Sequence, residues 1–267
     1  MKGIVYNLVI VLFFGLFLIS CDDGFNIFST EDDAQLGLKL HQEIIANPKE
    51  YPILNNSQVN AYIQDIVNQI ILSPKIKYRG TFKYQITVIS NNEVVNAFAT
   101  PGGYIYVYTG LLKFLDNEAT LAGVLAHEIA HCERRHATQR MTKAYGVGIL
   151  LDIVLGKNPT KTEEIAANLF VGLAFLKNSR DDEYEADEWA YEYLKSTPWY
   201  PGALIFFFDK VKQNEGNTFL ESLLSTHPLS QDRIDKLNKK IKNDKLPPPS
   251  EENLFQTRYQ NFKKLLP

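Results

Sequence analysis

Apolar positions change period along the chain, and each change marks an element. Leu36, Leu40 and Ile44 recur at four-residue spacing, which predicts a helix from Glu31 to Ile45 ended by Asn47-Pro48. Val59, Ile63, Ile66, Val67 and Ile70 predict a second amphipathic helix over 59–72, closed by Ser73-Pro74. The period then drops to two. Phe82, Tyr84, Ile86 and Val88 alternate with polar residues, as in a half-buried strand. Val94 to Ala99 and Tyr104 to Tyr108 read as further strands, with Pro101-Gly102-Gly103 as the turn between them. The short connections predict a small sheet of about three strands, antiparallel.

The helical period returns after Asp116-Asn117, which can cap a helix running through Leu121, Val124, Leu125 and Ile129 to about Arg140. Glu118 suits its positive end. This helix is apolar nearly all round until Glu133 and is therefore expected to be buried. Two apolar segments, Tyr145 to Leu155 and Glu164 to Leu176, are too short to span a bilayer and read as core helices or as a face resting on a membrane. Helices follow over 181–195 and 201–213 and in a charged segment from Gln231. Pro247-Pro248-Pro249 sets off a last amphipathic segment carrying Leu254, Phe255, Tyr259 and Phe262. The pattern is that of an α+β protein, mostly helical, with the small sheet beside the helix that starts near Asn117.

The N-terminus has another logic. Lys2 precedes an apolar run from Ile4 to Ile19, broken only by Asn7 and Gly15, which is a signal-peptide pattern and short for a membrane span. Leu18-Ile19-Ser20-Cys21 resembles a bacterial lipobox, with cleavage before Cys21 and lipid on that cysteine. Acyl chains on Cys21 would anchor the protein stably to a membrane. Cys132 is the second of only two cysteines, so acylation of Cys21 excludes a disulfide framework. The 267 residues, 45% of them apolar, suffice for a core, and a net charge of −3 gives no electrostatic case for nucleic acid.

The chemistry concentrates in His127-Glu128-Ile129-Ala130-His131. Residues four apart share a helix face, so His127 and His131 can both aim a ring nitrogen at one zinc ion, while Glu128 sits beside the first ligand as general base. Two buried imidazoles without partners would be costly, which favours a metal over a bland reading. A catalytic zinc site usually has three protein ligands. His41, His136 and His227 remain; His136, five residues after His131, is rotated off the ligand face of a continuous helix and reads as structural or surface. The acidic run 181–187 opens the next helix, and spacing alone does not choose among Asp181, Asp182, Glu183 and Glu185.

Four segments in order resemble the HtpX, CAAX prenyl protease type I and BepA family of zinc metallopeptidases, over roughly residues 30–240. They are Val95 to Ala99 with Pro101-Gly102-Gly103; Thr109-Gly110-Leu111-Leu112; His127 to His136 as an HExxHxxxRH element; and Ser179-Arg180 with Glu183, Ala186 and Asp187 as an SRxxExxAD element. The resemblance implies a zincin-type fold, one Zn2+ per chain, Glu183 as third ligand, Asp187 as the partner orienting a ligand histidine, and Arg180 as a structural or electrostatic neighbour. It places His227 where BepA-like members have a histidine near the metal that can fill the fourth position and hold the enzyme latent; the alternatives are a transition-state hydrogen-bond donor or a plain cap before Pro228. With several membrane-spanning helices expected in some relatives and none here after residue 20, the chain looks most like the short periplasmic lipoprotein members.

These readings combine into one expectation. Residues 1–20 form a lipoprotein signal peptide, 21–30 a tether, 31–246 a zinc metallopeptidase domain and 247–267 an amphipathic tail. The protein is expected to be a zinc metalloendopeptidase of the bacterial envelope, lipid-anchored and periplasm-facing, hydrolysing unfolded or misassembled proteins with Glu128 as base. Substrate is expected to add as a strand along Asn96, Ala97, Phe98 and Ala99. The rival expectation is an envelope chaperone or assembly factor with a latent metal site. Hydrolysis of a cell-wall peptide is a third.

Overall fold

The computed structural model describes residues 26–144 and 177–267. The predicted signal peptide, Cys21, the start of the tether and the apolar segments at 145–155 and 164–176 lie outside the described residues. No described helix is long and apolar enough to cross a membrane.

Helix α1 (Thr30–Ala46) begins at a capping box in which Ser29 and Asp32 each accept from the other's backbone N–H. Helix α2 (Ser57–Ile70) is capped by Asn56 and buries Val59, Ile63, Ile66, Val67 and Ile70, the residues whose spacing predicts it. Strands β1 (Gln85–Ile89), β2 (Ala97–Thr100) and β3 (Tyr104–Tyr108) lie in the order β1-β3-β2.

The sheet is mixed, which corrects the antiparallel expectation. β2 and β3 are antiparallel, joined by the 3-10 turn Pro101–Gly103, where Gly102 and Gly103 take φ of 75° and 86°. β1 instead runs parallel to β3, from Gln85↔Tyr104 to Ile89↔Tyr108. The chain leaves β1, skips one strand width, descends as β2 and returns as β3 between them. Skipping a strand takes about 10 Å, which a connection of a few residues can reach. The outer side of β1 is occupied: Ile53 bridges Ile89, and Leu54 donates its N–H to Val88 O at 2.8 Å. Among the described residues no strand pairs with the outer side of β2.

Both faces of the sheet are covered. On one, α1 closes a small apolar layer of Ile44, Tyr51, Ile89, Tyr104 and Tyr106. It approaches so closely that a Cβ on Gly37 would meet Pro101 O at 1.8 Å. The other face packs on the main core around helix α4 (Glu118–Glu133), reached through α3 (Thr109–Phe114). Every residue of α4 is buried, as its all-round apolar sequence predicts.

α4 stops at Glu133 rather than continuing to about Arg140. Arg134 and Arg135 form a turn, Arg135 takes a left-handed φ of 58°, and helix resumes over 136–144. A left-handed non-glycine residue costs on the order of 1 kcal/mol or more and needs a compensating environment. Here Arg135 Nε donates to Asp33 Oδ2 at 2.6 Å and its Nη2 donates to Phe28 O, so the start of α1 holds the turn.

Helix α5 (Arg180–Leu194) packs along α4, followed by α6 (Leu204–Gln213), α7 (Glu221–Thr226) and α8 (Gln231–Asp244). The last segment, with α9 (Glu251–Leu254) and α10 (Gln256–Lys263), folds back onto the core. Tyr259 donates to Leu112 O at 2.7 Å, and Phe262 stacks on Tyr62 at 4.0 Å. The buried carboxylate of Glu118 accepts from Trp199 Nε1 at 2.7 Å and pairs with Arg258.

Candidate metal centre

α4 carries His127, Glu128 and His131 past the N-terminal turn of α5, which carries Glu183 and Asp187. Ser179 caps α5 through a capping box with Asp182, which fixes where Glu183 emerges. His227 enters from the C-terminal end of α7. One donor atom from each of His127, His131, Glu183 and His227 lies within 4.8 Å of all the others, and all four residues are buried.

The two Nε2 atoms of His127 and His131 face each other at 3.0 Å. Glu183 reaches both: Oε2 is 3.5 Å from His127 Nε2 and Oε1 is 3.3 Å from His131 Nε2. His227 Nδ1 lies 3.0 Å from Glu183 Oε1, and its Nε2 lies 3.6 Å from Glu128 Oε1. Asn178, just before α5, donates its Nδ2 to Glu183 Oε1 at 2.6 Å. Spacing left four acids open; of these only Glu183 enters the cluster, while Glu185 turns to His136 and Arg134.

Behind His127, Asp187 Oδ1 is 2.9 Å from Nδ1. Asp187 is in turn held by Arg233 of α8, which also places Nη1 2.6 Å from Glu183 Oε2. Arg180, expected as a structural or electrostatic neighbour, is solvent-exposed, and a buried guanidinium at the site belongs to Arg233. Arg233 and Asn178 carry no signal of their own in the sequence, because both lie in polar stretches that read as surface.

Electrostatics fit a divalent cation. Glu128, Glu183 and Asp187 against Arg233 leave two uncompensated negative charges when the histidines are neutral, in a volume with little water. Burial opposes charge on His127, but Glu183 and Asp187 outweigh it and lift its pKa to about 9. His131 is pushed well below the ordinary histidine value by burial. Burial would raise Glu183, yet the neighbouring His227 and His127 hold it well below the usual carboxylate range. Glu128, 3% exposed, is raised by burial, against the pull of His227 and His127. Three imidazoles and a carboxylate suit zinc by donor type, and the two converging Nε2 atoms of His127 and His131 need a positive centre between them, a proton on His127 in the metal-free chain or an ion in its place.

Beside Glu128 and His131 opens a cleft bounded by Phe98, Ala99, Arg140 and His227. β2 is its rim. Ala97 joins the core shared with α4, and Phe98 stacks on Tyr106 at 4.7 Å on the opposite face. Asn96 precedes the strand, is buried, and donates to Ser222 Oγ at 2.9 Å.

Residues 57–241 match the model of peptidase family M48. The chain is similar to the beta-barrel assembly-enhancing protease of Yersinia pestis, 29% identical over 195 residues that make up 68% of this chain and 39% of that protein. The protein of the same name from Escherichia coli (strain K12) is 28% identical over 193 residues, with the same shares. The mitochondrial metalloendopeptidase OMA1 of Saccharomyces cerevisiae is 28% identical over 206 residues, 74% of this chain and 58% of that protein. The chain thus spans about two fifths of the length of the first two relatives and under two thirds of the third. With the family model covering more than half of its length, this chain belongs to peptidase family M48.

Proposed function

We propose that this chain is a zinc-dependent endopeptidase that cleaves unfolded or misassembled polypeptides of the bacterial envelope. The observation that carries this reading is the convergence of His127, His131 and Glu183 within 4.8 Å of one another, with Glu128 beside them at the mouth of the cleft. When bound, the ion supplies Lewis-acid polarisation of the scissile carbonyl and acidifies water. The remaining work falls to the chain's own groups. Glu128 takes the proton of the attacking water and passes it to the leaving amine; burial, which raises its carboxyl, suits it to both steps. Asp187 orients His127, and Arg233 anchors Asp187. The side of β2 with which no described strand pairs offers main-chain groups to an extended substrate, a mode that reads backbone rather than sequence and so suits unfolded clients. Placement in the envelope rests on the N-terminal pattern ending at Cys21.

Glu128→Gln tests the reading. The variant is expected to keep one zinc per chain and to lose cleavage of an unfolded protein; undiminished cleavage would sink the mechanism. His227, the fourth donor of the cluster, favours a second reading in which the site rests latent and the protein acts as a chaperone or assembly factor. That reading is supported instead if parent and Glu128→Gln chains suppress aggregation equally and neither cleaves.

A further inference from the structure

We propose that His136 is a positioning residue for the metal ligand His131, acting as the middle of a chain of hydrogen bonds that runs from the buried site to the half-exposed Glu185. The inference rests on the zinc reading above and adds a support for one ligand that the spacing of the sequence argues against.

On an unbroken helix a residue five positions on points away from the ligand face. The turn at Arg134 and Arg135 breaks the helix and swings His136 back. His136 Nδ1 comes to lie 2.8 Å from His131 Nδ1, and its Nε2 lies 3.1 Å from Glu185 Oε2. His136 is 1% exposed, so no bulk water serves either nitrogen. Glu185 is also held by Arg134 Nε at 2.6 Å.

The proton positions follow from these contacts. His131 can offer Nε2 to an ion only if its own proton sits on Nδ1. That N–H points at His136 Nδ1, which must then accept. The His136 proton therefore sits on Nε2, where it donates to the Glu185 carboxylate. Reversing the order would set a lone pair of His136 against the carboxylate at 3.1 Å and an N–H of His131 toward the cluster. With both rings neutral, only this arrangement satisfies every contact, and it leaves His131 ready for metal. His127 has its counterpart in Asp187 and Arg233, so each imidazole on α4 is backed by a carboxylate, directly in one case and through a second imidazole in the other. The turn itself is pinned by Asp33 of α1, which makes the first described helix part of the support.

The test uses the full chain with Zn2+ by chelator competition and Co2+ by visible absorption. His136→Phe keeps the ring's volume and removes the acceptor; it is expected to weaken zinc about 10–100-fold and to shift the Co2+ bands. His136→Asn places an acceptor oxygen near the lost Nδ1 and is expected to recover most of that affinity. Glu185→Gln is expected to lose less than His136→Phe. Parent-like zinc affinity and an unchanged Co2+ spectrum in His136→Phe, or an Asn variant as weak as the Phe variant, would overturn the inference. If His136→Phe does not fold, Glu185→Gln decides: weaker zinc with unchanged melting of the metal-free chain supports the inference, and parent-like affinity overturns it. A parent chain that takes up no zinc overturns this inference and the proposed function together; normal parent binding with indifferent variants overturns this one alone.

Discussion

Arg233 grips Asp187 through two parallel hydrogen bonds, Nε to Oδ2 and Nη2 to Oδ1, both 2.7 Å long. The pair is buried, and the remaining Nη1 reaches Glu183. A guanidinium can make this fork and an ammonium cannot. Removing it leaves the buried carboxylates of Asp187 and Glu183 with His127 as their remaining shared partner. Arg233→Met is therefore expected to destabilise the metal-free chain by about 3–5 kcal/mol, with Arg233→Lys in between. Zinc should restore part of the loss, because the ion replaces the missing positive charge. Chemical denaturation with and without Zn2+ checks both statements.

His127 gives a pH prediction. Its pKa of about 9 means that it carries a proton at pH 7.5 in the metal-free chain, whereas His131, held low by burial, does not. An ion needs the lone pair that the proton occupies. Calorimetry in buffers of different ionisation heat is therefore expected to report release of about one proton per zinc near neutral pH. Affinity should rise about tenfold per pH unit toward pH ~9 and level off above it. For the metal-free fold the sign is opposite. The raised pKa stabilises it below the ordinary value of 6.5, and that contribution fades as pH climbs through about 9.

Glu183→Ala and Arg180→Ala separate two residues of one sequence motif. Glu183 is fully buried and touches three imidazoles, so its loss is expected to abolish stoichiometric zinc. Arg180 is exposed, and its loss is expected to leave zinc content unchanged and stability within about 0.5 kcal/mol of the parent. Metal analysis and thermal melts of the two variants decide this.

The same contrast shows what was legible in the sequence. Local periodicity identified α2 down to its buried residues, and all-round apolarity marked α4 as the interior helix. The pairing of His127 with His131 needed only helix geometry. What escaped depends on partners far along the chain. The parallel register of β1 on β3 is set by how a loop skips a strand, which no local pattern encodes. The turn after Glu133 contains two arginines and no glycine; its left-handed residue is held by Asp33, 102 positions away. His136 was read as off the ligand face because the helix was read as unbroken. Arg233 lies in a helix whose composition looks like surface, and only the fold brings its guanidinium inside.

The C-terminal segment, separable by composition, is part of the core in the structure. Tyr259 is fully buried, and Arg258 partners the buried Glu118. Tyr259→Ala is expected to cost about 3 kcal/mol, by analogy with aromatic truncations in other cores, while Lys264→Ala should be neutral. Urea midpoints at constant m-value check this.

A sheet of three strands has two borders, and here they are unlike. Residues 53 and 54 cover the end of the β1 border by pairing with Ile89 and Val88, which hinders another strand from pairing there. No described strand pairs with the β2 border, which lies beside Glu128. For a protein proposed to handle sticky, unfolded chains this asymmetry is a safeguard. Among the described strands, the border left unpaired is the one beside Glu128, so on the proposed reading a visiting strand would be adopted where it would be cut.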